Sequence, residues 1–330
     1  MLSRVANNLY WMSRHIERAE NTARMLDVTY RMSLLPYRTP DQAWAEPWAL
    51  PLVITGRATD YYERFSGVLS SDRVLRYIAL DPANPSSIHS CIQSARENAR
   101  TARGAITSEM YEDINGLWLE IKDRTFERIL TQGISDFFDW VKTRSHQFRG
   151  VTVGTMVRDE GYRFIRLGTF IERADNTARI LDVKYHTLLP SAADVGGAVD
   201  YYQWGALLRS VSAFDSYRKI YRDVISPMRV MDLLVLRDDI PRSLHACMNE
   251  IYEILSDLCE GDSLEPERLA GELHAQLHYG RAAQITSFGL HEYLMGFLDK
   301  LSAINDEINK HFLAPVYTPQ PSQVQAAAAG

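Results

Sequence analysis

Two short stretches of this sequence carry the same carboxylate, amide and guanidinium side chains at the same helical spacing. The set consists of Glu17, Asn21 and Arg24 in the first stretch, and Glu172, Asn176 and Arg179 in the second. At about 100° per residue, the three members of each set fall together on one face of a helix. Arginine can hold a carboxylate or phosphate with two hydrogen bonds. We therefore predict a polar cleft between two similar helices in which these six side chains hold a ligand or a partner.

The two stretches are copies of one another. Residues 16–28, IERAENTARMLDV, return as residues 171–183, IERADNTARILDV, and eleven of the thirteen positions are identical. A match of this length at a spacing of 155 residues indicates an internal duplication. The polar face is repeated as closely as the apolar one, although a solvated face tolerates change.

A buried structural network is the alternative to a ligand cleft. In that network Glu17 pairs with Arg24 across two turns, and Asn21 bridges them. The second residue of each Glu-Arg pair, Arg18 or Arg173, projects about 100° away from the glutamate before it. We therefore assign Arg18 and Arg173 to another contact.

The surrounding sequence predicts helices throughout. Apolar residues recur at steps of three and four along the first copy, and Pro36 ends a helix predicted from Ser3 to Leu34. The duplication extends further, because Trp48 matches Trp204 at a spacing of 156 and residues 74–92 match residues 230–248 at the same spacing. We predict an all-α, internally duplicated helical bundle, with two halves of about five to six helices related by approximate two-fold pseudo-symmetry. The predicted halves, 1–150 and 151–312, pack as one domain, and residues 313–330 form a disordered tail.

Composition narrows the class of protein. The 330 residues carry a net charge of −6 and no Lys/Arg block, so nucleic-acid binding is not expected. The three cysteines contain no CxxC spacing, which favours reduced thiols in the cytoplasm. No apolar run approaches the roughly 20 residues needed to cross a bilayer, so no membrane association is expected.

A second candidate binding segment follows residue 95. Glu97, Asn98 and Arg100 lie close together in the sequence ARENAR, and Arg and Asn beside carboxylates suit an amino-acid or peptide ligand. A solvated helical face with ion pairs three and four residues apart explains the same pattern. The second half has Ile254 where the first has Asn98, so any function of this segment is asymmetric.

The histidines do not form a recognisable metal-binding or catalytic motif. His89 and His245 each precede a cysteine by two residues, and we interpret them as residues at helix starts. His274 and His278 stand four residues apart, but the sequence contains no HExxH or ExxH motif. It also lacks the Gly-rich nucleotide motifs and GxSxG. We predict no metal site and no cofactor in this chain.

The motifs resemble a known family. The stretch LSRVANNLYWMSRHIERAENTARMLDV, together with NPSSIHSCIQSARENAR and SEMYEDIN, is similar to the bacterial alpha-E domain family, helical proteins with a conserved ER motif. The motif corresponds to Glu17-Arg18, repeated as Glu172-Arg173. The resemblance implies an association with circularly permuted ATP-grasp proteins and with transglutaminase-like peptidases.

Three hypotheses for the function follow. In the first, the protein is the helical partner of an ATP-grasp amide ligase in the synthesis or modification of a peptide or amino-acid conjugate. In the second, it is an enzyme for acyl or aminoacyl transfer or peptide-bond chemistry, with Glu17 or Glu172 as base and its pKa raised by a neighbouring carboxylate. In the third, it is a scaffold with a buried polar network.

Overall fold

A computed structural model describes residues 1–34, 48–186, 198–262 and 264–314, with side chains over 1–34, 48–182, 201–262 and 264–314. The described residues contain helices and no strand, as the all-α prediction requires. The predicted tail lies outside the described residues from position 315 onward. Leu313 itself ends a short π-helical turn, Asn309–Leu313, and is buried.

Eight helices cover the described part of the chain up to residue 155, more than the five to six predicted, because several of them are short. They are α1 Ser3–Ser33, α2 Ala49–Ile54, α3 Ala58–Arg64, α4 Ser71–Ala79, α5 Ile88–Thr101, α6 Ser108–Lys122, α7 Phe126–Gln132 and α8 Ile134–Thr155. A 3₁₀ turn, Arg103–Ala105, separates α5 from α6.

Eight more helices follow in the described residues from 160 onward. They are α9 Glu160–His186, α10 Ala198–Ser210, α11 Phe214–Tyr221, α12 Pro227–Met231, α13 Leu244–Cys259, α14 Glu265–His278, α15 Ala282–Phe288 and α16 Leu290–Ile308. A π-helical turn, Asp232–Leu236, lies directly after α12.

The two long helices α1 and α9 pack against each other at the centre. Helix α1 also packs on α5 and α8, and α9 packs on α13 and α16. The apolar stripe of α1 is fully buried, with Leu9, Met12 and Leu26 at 0% exposure. The central pair therefore carries the duplicated polar side chains into the interior of the protein.

Gly168 of α9 permits the close approach of the two central helices. A Cβ at this position would lie 2.3 Å from the Tyr10 carbonyl oxygen and 2.4 Å from Ser13 Oγ, which is far inside van der Waals contact. Only a residue without a side chain fits there unless the helices move apart. Gly296 of α16, by contrast, has no atom within 4 Å of an added Cβ.

Matching serine caps begin α5 and α13. Ser87 Oγ accepts a hydrogen bond from the Ser90 amide, and Ser243 Oγ accepts one from the Ala246 amide. Such caps satisfy amides that the first helical turn leaves unpaired. They also place the preceding residues, Ser86 and Arg242, beside the central helix pair.

Within the described residues, no helix is both long enough and apolar enough to cross a membrane.

Candidate functional site

The Glu-Arg pair of each central helix binds the pair of the other. Arg18 Nε and Nη2 donate to Glu172 Oε1 and Oε2 at 2.5 and 2.8 Å. Arg173 Nε and Nη2 donate to Glu17 Oε1 and Oε2, both at 3.0 Å. The other contact to which we assigned Arg18 and Arg173 is thus a reciprocal, two-bonded clasp between α1 and α9.

The predicted pairing of Glu17 with Arg24 is wrong. Arg24 Nε instead donates to Glu20 Oε1 at 2.8 Å. Arg179 likewise holds Asp175, at 2.8 and 3.1 Å. Side chains four residues apart are neighbours on a helix, whereas a spacing of seven spans two turns.

Two further arginines surround Glu17: Arg149 from α8, and Arg242 from the segment before α13. Arg242 donates to Glu17 Oε1 at 2.9 Å, to Asn21 Oδ1 at 2.8 Å and to Glu20 Oε1 at 2.7 Å. Arg149 of α8 donates to Glu17 Oε2 at 3.0 Å and to Glu20 Oε2 at 2.5 Å. Glu17 and Glu20 are 1% and 0% exposed, so this is a buried ionic cluster.

The electrostatics of the two repeated glutamates contradict the expected rise in pKa. Burial by itself would raise the pKa of Glu17, but the charges of Arg173 and Arg242 outweigh it and lower the pKa. For Glu172, the arginines Arg18 and Arg14 outweigh burial and lower the pKa from 4.5 to about 2. A carboxylate this well paired is a weak proton acceptor at neutral pH, because an effective base has a pKa near the working pH.

Around Glu172 the equivalent space is open. In the Pro-x-Ser block that repeats at a spacing of 156 residues, the middle residue is Ser86 in the first copy and Arg242 in the second. A cavity of about 330 Å³ lies between α1 and α9 at this point. We call it the Ser86 cleft; its walls are formed by Arg14, Arg18, Asn21, Thr22, Met25, Ile54, Thr55, Gly56, Ser86, Glu172, Asp175, Asn176 and Arg179.

Four of the six predicted ligand-holding residues line this cleft. They are Asn21, Glu172, Asn176 and Arg179, whereas Glu17 and Arg24 lie outside it. Of the arginines, Arg18 has a side chain that is 26% exposed and Arg179 one that is 44% exposed. Both can therefore reach a bound molecule while they remain paired with a carboxylate.

Asn21 joins the closed cluster to the open cleft. Arg242 is a pure donor, so the Asn21 oxygen must face it and the amide nitrogen must point away. That nitrogen, Nδ2, is buried and has no hydrogen-bond partner among the described residues, while Asn21 as a whole is 3% exposed. A buried donor without a partner lowers stability, so this amide nitrogen is an unsatisfied group at the boundary between the cluster and the cleft.

The second predicted segment does not contribute to the cleft. Glu97 pairs with Arg96 at 2.5 Å and with Arg100 at 2.9 Å along α5, and its side chain is 43% exposed. Asn98 is half-buried on the same helix. This arrangement favours the solvated helical face that we weighed as the alternative.

Two of the residues that close the first cluster, Arg149 and Arg242, were not predicted from the sequence. A signal was present for Arg242, because it stands inside the repeated Pro-x-Ser block and differs from its counterpart Ser86. Arg149 lies in α8, outside the repeated sequence blocks, and carries no such signal.

Comparison with known proteins identifies the family. A model of the Alpha-E family, described as a predicted alpha-helical domain with a conserved ER motif, matches residues 1–313, so the chain belongs to this family. Uncharacterized proteins of Mycobacterium bovis and Mycobacterium tuberculosis are 23% identical over 98% of this chain. The chain spans about two fifths of the length of these relatives, 39%. No solved structure matches it.

Proposed function

We propose that the Ser86 cleft binds the carboxylate of an amino-acid or peptide ligand, and that the protein presents this ligand to an ATP-grasp amide ligase. The observation that carries the proposal is the open cleft itself, whose walls include the partly exposed Arg18 and Arg179. The duplicated polar face is closed by Arg242 on one side and left open at Ser86 on the other. A purely structural network would be closed on both sides.

The charge of the cleft favours an anionic group. Three arginines and two carboxylates line it, which leaves an excess of one positive charge. Arg57 lies behind the wall, where its Nη2 donates to Ser86 Oγ at 3.3 Å while its Nη1 pairs with Asp60 at 2.9 Å. Arg18 and Arg179 are both donors, and a carboxylate offers acceptors to each of them. Asp175 can hold an ammonium group of the same ligand.

The family resemblance supports a ligase as the partner. The alpha-E motifs imply an association with ATP-grasp proteins, and a transglutaminase-like peptidase is a second partner that they imply. We place the protein in the cytoplasm, where its three buried free cysteines stay reduced.

We also infer that the two halves are related by approximate two-fold pseudo-symmetry within one domain. The packing order of α1, α5, α6 and α8 is matched by that of α9, α13, α14 and α16. The clasps of Arg18 with Glu172 and of Arg173 with Glu17 are reciprocal. At the spacing of 155, Ser13 and Gly168 are equivalent positions, and they touch each other.

The buried ionic cluster around Glu17 supports a structural role for Glu17, but not for its counterpart Glu172. It is held by Arg149, Arg173 and Arg242, and it does not line the cleft. The scaffold hypothesis thus suits one copy of the polar face, and the binding hypothesis suits the other.

Ligand binding by the cleft is tested with dipeptides. Calorimetric titration of the protein with a panel of dipeptides should reveal binders, and amidation of the carboxyl terminus of a binder should weaken it at least about tenfold, since a charged hydrogen-bonded group is lost. Ser86→Arg should abolish binding, because the new side chain can occupy the cleft as Arg242 occupies the space beside Glu17. Ser86→Ala is the matched control and should bind as the unchanged protein does. Equal binding by Ser86→Arg and Ser86→Ala would exclude the cleft as the site.

The partner is tested by affinity capture of the tagged protein from its native host, followed by mass spectrometry of co-purifying proteins. An ATP-grasp protein is expected in the captured fraction with both the unchanged chain and Ser86→Ala. Capture without any ATP-grasp protein, from cells that express one, would count against the ligase as the partner. Ligand binding by the cleft would still be decided by the dipeptide titration.

A further inference from the structure

Three histidines from two adjacent helices converge at the start of α13. His245 is the second residue of α13, and His274 and His278 lie one turn apart on α14. Their ring centroids are 5.5 to 5.8 Å apart. One potential ligand atom from each lies within 4.8 Å of those from the other two.

His245 is oriented as a metal ligand would be. Its Nδ1 lies 2.7 Å from the Leu236 carbonyl oxygen, which can only accept, so Nδ1 carries the hydrogen and donates it. The neutral ring then bears its lone pair on Nε2. That atom is buried and has no hydrogen-bond partner within the described ranges, and His245 is 5% exposed. A backbone carbonyl behind a histidine is a common way to orient the ring towards a metal ion.

The other two rings can complete the set. His274 stacks on Tyr252 at 5.2 Å and 10°, which holds the plane of its ring. His278 is exposed. Tetrahedral zinc with bonds of about 2.0 Å places its ligand atoms about 3.3 Å apart, so modest side-chain rotation on α14 closes the site.

The first half of the chain shows that packing does not require this trio. At the spacing of 156, Trp118 and Lys122 replace His274 and His278, and Trp118 contacts His89 with ring centroids 5.3 Å apart. His89 also has a buried unpaired nitrogen, Nδ1, but no second or third histidine faces it in the equivalent positions. The convergence of three imidazoles is therefore specific to the second half.

We propose that His245, His274 and His278 bind one divalent zinc ion, with a fourth coordination position left for water or an external ligand. Neutral imidazole is a preferred ligand of zinc, and three protein ligands with one open position are typical of zinc sites that take an exchangeable ligand. The sequence motifs predicted no metal, because His245 stands 29 residues before His274 and belongs to another helix. This site shares no residue with the Ser86 cleft.

Calorimetric titration of the metal-stripped full chain with zinc chloride tests the proposal. One ion per chain is expected, and His278→Ala should weaken its binding at least about tenfold, since one of three ligands is lost. Cobalt(II) should bind at the same site with the strong visible absorption of a tetrahedral complex, and His278→Ala should remove that absorption.

His311→Ala is the matched control, because His311 is an exposed histidine outside the trio. It should bind zinc and cobalt(II) as the unchanged chain does. Circular dichroism of His278→Ala, whose side chain is exposed, checks that the variant remains folded. Absence of stoichiometric zinc binding, or equal weakening by His278→Ala and His311→Ala, would overturn the proposal.

Discussion

Replacement of Arg242 by alanine is expected to lower the free energy of unfolding by about 3–5 kcal/mol, since it removes one partner from a buried ionic cluster. Arg242 is 6% exposed and holds Glu17, Glu20 and Asn21 at once. Its loss leaves two buried carboxylates with fewer counter-charges and opens a cavity beside the central helices. Urea unfolding followed by circular dichroism measures the effect.

Two further variants distinguish the loss of a partner from the buried ionic cluster from the general effect of replacing an arginine. Arg237→Ala removes a surface pair with Asp239 and should cost at most about 1 kcal/mol. Adding Glu17→Gln to Arg242→Ala should recover part of the lost stability, because one uncompensated charge disappears. A loss below about 1 kcal/mol for Arg242→Ala itself would mean that the cluster is not an energetic centre of the fold.

Acidification is expected to destabilise the protein between about pH 4.5 and pH 2 through Glu172. Its pKa in the folded chain is about 2, below the ordinary 4.5, so the unfolded state binds the proton more readily. The contribution is complete above pH 4.5 and is lost as the pH falls towards 2. For a fully buried carboxylate this shift corresponds to about 3 kcal/mol. Glu17 and Glu20, whose pKa values are also lowered, act in the same direction.

The slope of unfolding free energy against pH, measured by urea denaturation at several pH values, isolates this contribution. Glu172→Gln should be less stable at neutral pH and should show a shallower slope below pH 4.5. Glu109→Gln changes an exposed glutamate of α6 and is the matched control, which should follow the unchanged protein. A slope for Glu172→Gln as steep as that of the control would refute the assignment.

Much of the local structure could be predicted because its causes are local. The apolar steps of three and four and the proline at position 36 predicted a helix from Ser3 to Leu34, and α1 runs Ser3–Ser33. The same helical geometry placed Asn21, Asn176 and Arg179 towards one cleft with Glu172. Family membership also followed from the motifs alone.

The sequence by itself determined which side chains lie on the inner faces of α1 and α9, because a helical face depends only on spacing along the chain. It did not determine the partner of each side chain, since that depends on which elements meet in space. Arg242 reaches Glu17 across 225 positions of sequence, and its presence closes one side of the polar face while Ser86 leaves the other open. The sequence shows that Arg242 and Ser86 differ, but only the tertiary structure decides what that difference closes, through the packing that brings α5 and α13 beside the same helix pair.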